Sequence, residues 1–134
     1  MADQPDDLPV IEFVAPMPGF PSQLRFVLVR LDDDGILSAL TSVDDPDLRF
    51  LVVPPAPFFP TYAPEVSTES LELLGATDPD QILLLLVVTA GESLAATTAN
   101  QLAPILVDQV SRHALQVVLT GSDLPVRAPL TTSA

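Results

Sequence analysis

The chain has 134 residues, no cysteine, one histidine, and 18 acidic against five basic residues, for a net charge of −13. The lack of cysteine excludes a disulfide framework, a thiolate zinc site and a cysteine nucleophile. The negative charge disfavours direct binding to nucleic acid or an anionic membrane and favours a basic protein partner. The alternative is that the acidity serves only solubility. With 48% hydrophobic residues, the chain is predicted to fold as one domain of ordinary size.

The N-terminal half predicts a short tail and then four strands. Residues 1–9 are acidic and predict a flexible tail. Asp32–Gly35 predicts a tight turn, because Asp and Gly tolerate left-handed backbone angles, and so joins two strands as a hairpin. The four strands, read from β-branched and aromatic residues, are Val10–Val14, Arg25–Leu31, Ile36–Ser42 and Leu48–Val53.

The segment Pro54–Pro64 contains five prolines and three aromatic residues, Phe58, Phe59 and Tyr62. Proline density of this kind predicts a stiff, extended loop or edge. A stiff apolar loop loses little entropy on docking, so the aromatic residues are candidate protein contacts. The alternative is that Phe58 and Phe59 plug one end of a barrel.

The C-terminal half predicts one helix and three more strands. Ser67–Leu74 is the helix, with Ser67 as its cap and Gly75 as its stop. The strands are Ile82–Ala90, Leu102–Asp108 and Leu115–Thr120, with Gln109–Ala114 as a hairpin turn and residues 131–134 as a tail. The pattern predicts a mainly β fold: a small antiparallel barrel-like domain of about seven strands with one or two short helices.

Few residues suit catalysis. The only histidine, His113, falls in the predicted turn and is interpreted as a solvated loop residue. Asp44, Asp45 and Asp47 surround Pro46 and fit a turn, with a divalent-metal enzyme as the alternative function. No phosphate loop or nucleophile motif is present, so we expect no catalytic residue, no metal and no cofactor.

The expected location of the protein in the cell is inferred from its apolar runs and its N-terminus. The longest apolar run, Ile82–Val88, is too short for a spanning helix, which needs ~20 residues. The acidic N-terminus lacks the positive region of a secretory signal. The sequence therefore predicts a cytoplasmic protein without a membrane partner.

Three segments carry a resemblance to a known family. They are Met17–Phe20 followed by the strand Arg25–Leu28, Leu40–Phe50 leading to Phe58–Tyr62, and Thr98–Ile105. The strings S-V-D-D-P-D-L and T-A-N-Q-L-A-P-I within them are specific. From Ile11 to Leu130 the chain resembles the flagellar assembly factor FliW family.

The resemblance implies a β-barrel-like domain over residues 10–130 and a non-enzymatic regulator, expected to be a monomer. Family members bind CsrA, a small basic translational repressor, and disfavour its RNA binding without occupying the RNA surface. They also bind flagellin, which couples flagellin level to its translation. Departures from the family pattern are Asp108, where asparagine is usual, and Leu124 and Ala128 near the C-terminus. A chaperone that serves flagellin alone is a further alternative.

Several motif residues are candidate protein contacts, each with an architectural alternative. Asn100 is expected to satisfy backbone groups near a strand start, and Pro104 to mark a strand edge or bulge and so an available edge. Ser42 and Asp44–Asp47 are expected to fix a turn. The full candidate set is Phe20, Ser42, Asp44, Asp45, Phe58, Phe59, Tyr62, Asn100 and Pro104.

Overall fold

A computed structural model describes most of the chain between residues 10 and 130. The described residues are 10–15, 17, 24–31, 36–45, 47–56, 58–59, 62, 64, 66–92, 96–119 and 123–130. They contain nine strands: β1 Val10–Phe13, β2 Arg25–Arg30, β3 Ser38–Ser42, β4 Arg49–Val53, β5 Ile82–Thr89, β6 Thr98–Ala99, β7 Ile105–Asp108, β8 His113–Gln116 and β9 Ala128–Pro129. Helix α1 is Thr68–Leu74, and a 3-10 turn, Pro79–Gln81, precedes β5.

Seven strands close into a barrel. Each strand pairs with the next in the ring β1-β2-β3-β4-β5-β7-β8, and β8 returns to β1. All pairings are antiparallel except β1–β8, which is parallel and joins Glu12 to His113 and Phe13 to Ala114. The mainly β, barrel-like prediction is confirmed, with this one parallel seam as a difference from a wholly antiparallel wall.

The side chains of β5 alternate between the barrel interior and its outer surface. Leu83, Leu85 and Val87 face the central core. Leu86 and Val88 pack in a second cluster, on the opposite face of the strand. Both faces of β5 are therefore covered, which explains its uniformly apolar sequence.

Aromatic residues fill the centre of the barrel. The rings of Phe13 and Phe26 meet edge to face, with centroids 5.4 Å apart, and Phe50 lies 6.0 Å from Phe26. Phe26 is fully buried and Phe13 nearly so. Edge-to-face pairs add ~0.5–1.5 kcal/mol beyond the burial of apolar area.

Helix α1 covers part of the outer wall. Ser67 caps it, its hydroxyl accepting the Ser70 N–H at 3.1 Å, and Gly75 ends it with φ +74°. The predicted helix is thus confirmed to within one residue. Leu74 is fully buried against Leu106 and Leu115. In the part of the chain described, no helix is long and apolar enough to cross a membrane.

The predicted position of β8 was wrong. The strand begins at His113, not Leu115, because the turn after β7 is shorter than expected. Arg112 closes that turn with φ +66°, and its N–H donates to the Asp108 carbonyl at 2.7 Å. Left-handed backbone is uncommon for arginine, so the sequence carries no signal for a turn ending there.

The predicted strand Leu102–Asp108 was too long at its start, and two short strands were not predicted. β7 begins at Ile105 because the preceding residues form a turn. β6 and β9 have two residues each and pair with one another, β6 pairing also with β5. Two residues are too few to produce a periodic sequence pattern.

Candidate functional site

The turn between β3 and β4 is held by its own polar groups. Ser42 is buried, and its hydroxyl accepts the Asp45 N–H at 3.1 Å. The Asp45 carboxylate accepts the Asp47 N–H at 3.2 Å, and the Leu48 N–H donates to the Asp45 carbonyl. The expectation that these residues fix a turn is confirmed, while any contact with a partner stays a prediction.

Asp44 in the same turn forms an ion pair with Arg25 at 3.2 Å. Both side chains are about half exposed, so the pair contributes little to stability. With Asp44 on an arginine and Asp45 on a backbone N–H, the three carboxylates do not converge. Among the described residues, no three acidic or histidine side chains form a group able to hold a metal ion.

Asn100 organises the turn between β6 and β7. Its side-chain oxygen accepts the N–H groups of Leu102 and Ala103 at 3.0 and 3.1 Å. Its own N–H donates to the Val87 carbonyl at 2.9 Å, which ties the turn to β5. The expected architectural role of Asn100 is confirmed.

Phe58 and Phe59 lie against the outer wall of the barrel and do not plug its end. Both are half-buried and pack on the cluster that contains Val53 and Leu86. Val53 and its neighbour Val52 point to opposite faces of β4, and Val52 belongs to the interior core. The described part of this proline-rich segment is therefore an external brace.

Tyr62 ties this brace to the β6–β7 turn. Its hydroxyl donates to the Gln101 carbonyl at 2.7 Å. Burial raises the pKa of Tyr62 to about 12, so the hydroxyl keeps its proton across the physiological range. Tyr62 and the Asn100 turn thus form one group of candidate residues, separated along β4 from the Ser42 turn.

Pro104 does not mark an available edge, so that expectation was wrong. It is fully buried and directly precedes β7, which lies between β5 and β8. Its carbonyl accepts the Val117 N–H at 3.1 Å. Phe20, another candidate, lies outside the described residues.

A buried carboxylate that sequence reasoning did not select holds the other end of β7. Asp108 is 1% exposed and accepts hydrogen bonds from Gln81 Nε2 (3.1 Å), the Val110 N–H (3.1 Å) and Ser111 Oγ (2.8 Å). Burial alone raises the pKa of Asp108, but these hydrogen bonds outweigh it and lower the pKa below its usual value. The sequence signal that could have pointed to this residue was an aspartate where the family usually has asparagine.

His113 was also misplaced as a solvated loop residue. It lies at the start of β8, half-buried, with its ring Nδ1 3.2 Å from the Leu74 carbonyl. A carbonyl only accepts, so Nδ1 carries the proton. The residue therefore joins the C-terminus of α1 to the barrel and has no free base to offer at that nitrogen.

An apolar cleft of about 520 Å³ opens on the braced side of the outer wall. It is lined mainly by aliphatic side chains of β4, of β5 and of the residues just before β3, together with Phe58. The Ile36 and Leu37 side chains line it. Sequence reasoning had assigned these two residues only to a strand.

Negative charge dominates the described surface. Of eleven described acidic residues, ten are exposed and only Asp108 is buried. Across this part of the chain, the Arg25–Asp44 pair is the one ion pair. The remaining exposed carboxylates are Glu12, Asp45, Asp47, Glu69, Glu72, Asp78, Asp80, Glu92 and Asp123. This surface suits a basic partner.

Comparison with known proteins gives a consistent result. Residues 3–130 match the family model described as FliW protein. A flagellar assembly factor FliW from Symbiobacterium thermophilum is 37% identical over 122 residues, covering 90% of this chain and 88% of the relative. The Bacillus subtilis relative of the same name is 34% identical, covering 90% and 85%. A crystal structure of the flagellar assembly factor FliW superposes with a TM-score of 0.86 at 28% identity, covering 99% of this chain and 92% of that one.

Proposed function

Because the chain belongs to the FliW family of flagellar assembly factors, we propose that it acts in the cytoplasm by binding two proteins and catalyses no reaction. One partner is a CsrA-type translational repressor, whose RNA binding it antagonises. The other is flagellin, whose level is thereby coupled to its own translation. The family name supports a role in flagellar assembly, and the two partners are inferred from the family resemblance and the acidic surface.

The acidic surface is the observation that carries this proposal. Ten exposed carboxylates on the described residues, and a net charge of −13, favour a small basic protein over any anionic partner. An acidic protein bound beside an RNA-binding groove raises the electrostatic cost of bringing in the phosphate backbone. Screening limits this effect to ~8 Å at physiological ionic strength, so the protein must dock close to the groove.

A calorimetric titration with purified CsrA tests the first partner. We expect binding at low salt that weakens as salt rises, because the attraction is between exposed charges. In a competition assay, a labelled RNA should be released from CsrA as this protein is added. Absence of binding at 50 mM salt would contradict the proposal.

The second partner is tested by adding flagellin to the preformed complex with CsrA. We expect flagellin to displace CsrA, since feedback requires the two complexes to exclude each other. If flagellin binds and CsrA does not, the protein is a chaperone for flagellin alone. If both bind together without competition, the coupling mechanism is wrong.

A further inference from the structure

The barrel wall has an interrupted pairing at strand β5. β4 pairs with β5 only from Leu51 to Val53, opposite Val88 to Leu86. The next hydrogen-bonded position would place residue 55 opposite Leu84. Residue 55 is a proline, which has no N–H to donate.

The carbonyl of Pro55 is also directed elsewhere. It accepts the N–H groups of Phe58 and Phe59 at 3.0 and 2.7 Å within a local turn. Neither backbone group of Pro55 therefore reaches Leu84. The two prolines after Val53 end the pairing of β4 while β5 continues for four more residues.

The register of the neighbouring strands shows which way the backbone of Leu84 points. The Gln109 N–H donates to the Gln81 carbonyl, and the Asn100 N–H donates to the Val87 carbonyl. Odd-numbered residues of β5 thus bond toward β7 and β6, and even-numbered residues face β4. Among the described residues, the N–H and C=O of Leu84 and the C=O of Ile82 meet no hydrogen-bond partner.

These groups open into a groove of about 330 Å³, within the usual size range of binding sites of roughly 300–1,000 Å³. Two prolines, whose φ angles are fixed, and two aromatic rings line it. The uncharged lining set is Pro54, Pro55, Ala56, Phe59, Tyr62, Ile82, Leu83, Leu84 and Gln109. Exposed carboxylates of Asp78 and Asp80 lie just before Ile82 in the chain.

We propose that the open edge of β5 at Leu84 is a strand-accepting site for an extended, basic segment of a protein partner. The N–H and C=O of Leu84 match the C=O and N–H of one residue of an extended partner segment. A second residue of that segment can donate to the carbonyl of Ile82. Apolar walls suit the side chains of such a segment, and Asp78 and Asp80 favour flanking lysine or arginine. The inference rests on the proposed function for its partner.

Amide hydrogen exchange, resolved by residue in the wild-type protein, tests the site without any substitution. The probes are purified CsrA and purified flagellin. Bound CsrA should slow exchange of the Leu84 N–H by about tenfold or more, since the amide gains an acceptor. The Leu83 and Leu85 amides, already bonded to β7, serve as internal controls. Binding of CsrA that leaves Leu84 unchanged overturns the inference and leaves the proposed function intact.

A matched pair of substitutions tests the groove itself. Ala56→Tyr fills the groove, and Ala90→Tyr places the same side chain on an exposed residue of the separate 520 Å³ cleft. We expect Ala56→Tyr to raise the Kd for CsrA by about tenfold, ~1.4 kcal/mol, with Ala90→Tyr near wild type. Equal effects, or a larger effect of Ala90→Tyr, contradict the inference.

A second pair tests the charge of the partner. Asp78→Asn with Asp80→Asn removes two charges just before Ile82 in the chain, and Glu69→Gln with Glu72→Gln removes two charges on α1. The first pair should weaken CsrA binding by about threefold more than the second at low salt. If flagellin protects Leu84 and CsrA does not, the occupant is not the basic partner, and the proposal as stated is wrong. If neither probe binds the wild type, the proposed function fails with it.

Discussion

The two halves of strand β5 have similar sequences and different neighbours. Leu86–Thr89 pairs with β4 on one side and β6 on the other over most of its length. Ile82–Leu85 pairs with β7 on one side and meets a groove on the other. Nothing in the apolar run of β5 distinguishes the halves. The prolines that follow β4 decide where the barrel wall is closed. Whether β5 has an unpaired edge therefore depends on the sequence of both segments.

The largest effect is expected from truncating one leucine in each half. Leu86 is fully buried, so Leu86→Ala should lower the free energy of unfolding by about 3–4 kcal/mol. Leu84 is only half-buried, and Leu84→Ala should cost about 1–2 kcal/mol. Urea unfolding measures both. Equal losses would show that the N-terminal half is as tightly packed as the C-terminal half.

A second effect concerns the pairing of the N-terminal half of β5 with β7, which Asp108 anchors through its hydrogen bond from Gln81. Asp108→Ala should cost about 3 kcal/mol at pH 7, because three hydrogen bonds to a buried carboxylate are lost at about 1 kcal/mol each. Asp108→Asn keeps the shape and an acceptor, so its loss should be about 1 kcal/mol. A loss for Asp108→Asn as large as that for Asp108→Ala would contradict the hydrogen-bond account.

The same carboxylate predicts an acid dependence. The pKa of Asp108 is lower in the folded protein than the ~3.9 of an unfolded aspartate. Its contribution is therefore complete above about pH 4 and declines as the pH falls through the lower folded value. Urea midpoints between pH 2 and 7 should converge for wild type and Asp108→Asn at the acid end. Parallel curves would exclude this contribution.

A smaller effect is expected at the brace of the outer wall. Tyr62→Phe removes the bond to the Gln101 carbonyl and should cost about 1 kcal/mol at pH 7. Burial raises the pKa of Tyr62 to about 12, so the wild type should lose stability as the pH rises above ~10, the unfolded value. The variant should lack that alkaline loss. Thermal melts between pH 7 and 11 compare the two.

How far the sequence predicted the fold depended on the reach of each signal. The hairpin β2–β3 and helix α1 rest on local patterns and caps, and both were found. His113 and Pro104 were misplaced because Arg112 adopts a left-handed turn and because β7 is central in the wall. The sequence predicted a barrel-like fold but not which strands pair to close the barrel, because pairings between residues distant in sequence leave no local pattern.

In the candidate site, too, features that rest on local sequence were predictable and features that depend on distant contacts were not. The turn at Ser42 and the cap-like role of Asn100 were predictable from short-range side-chain chemistry. The groove at Leu84 was not, because it depends on where β4 ends relative to β5. Asp108 was noticed as an unusual residue, but its three hydrogen bonds join segments that are 27 residues apart or adjacent in a turn.

Amide exchange of the free protein tests the difference between the halves of β5 most directly. Leu84, Leu85 and Leu86 are consecutive in sequence but differ in the acceptor for the N–H: Leu85 bonds toward β7 and Leu86 toward β4. We expect the Leu84 amide to exchange rapidly, at a rate near that of an exposed amide. The Leu85 and Leu86 amides should exchange slowly, because their hydrogen bonds must first break in a larger opening of the strand. Protection of Leu84 equal to that of Leu85 and Leu86 would show that the edge is already paired and would contradict the account.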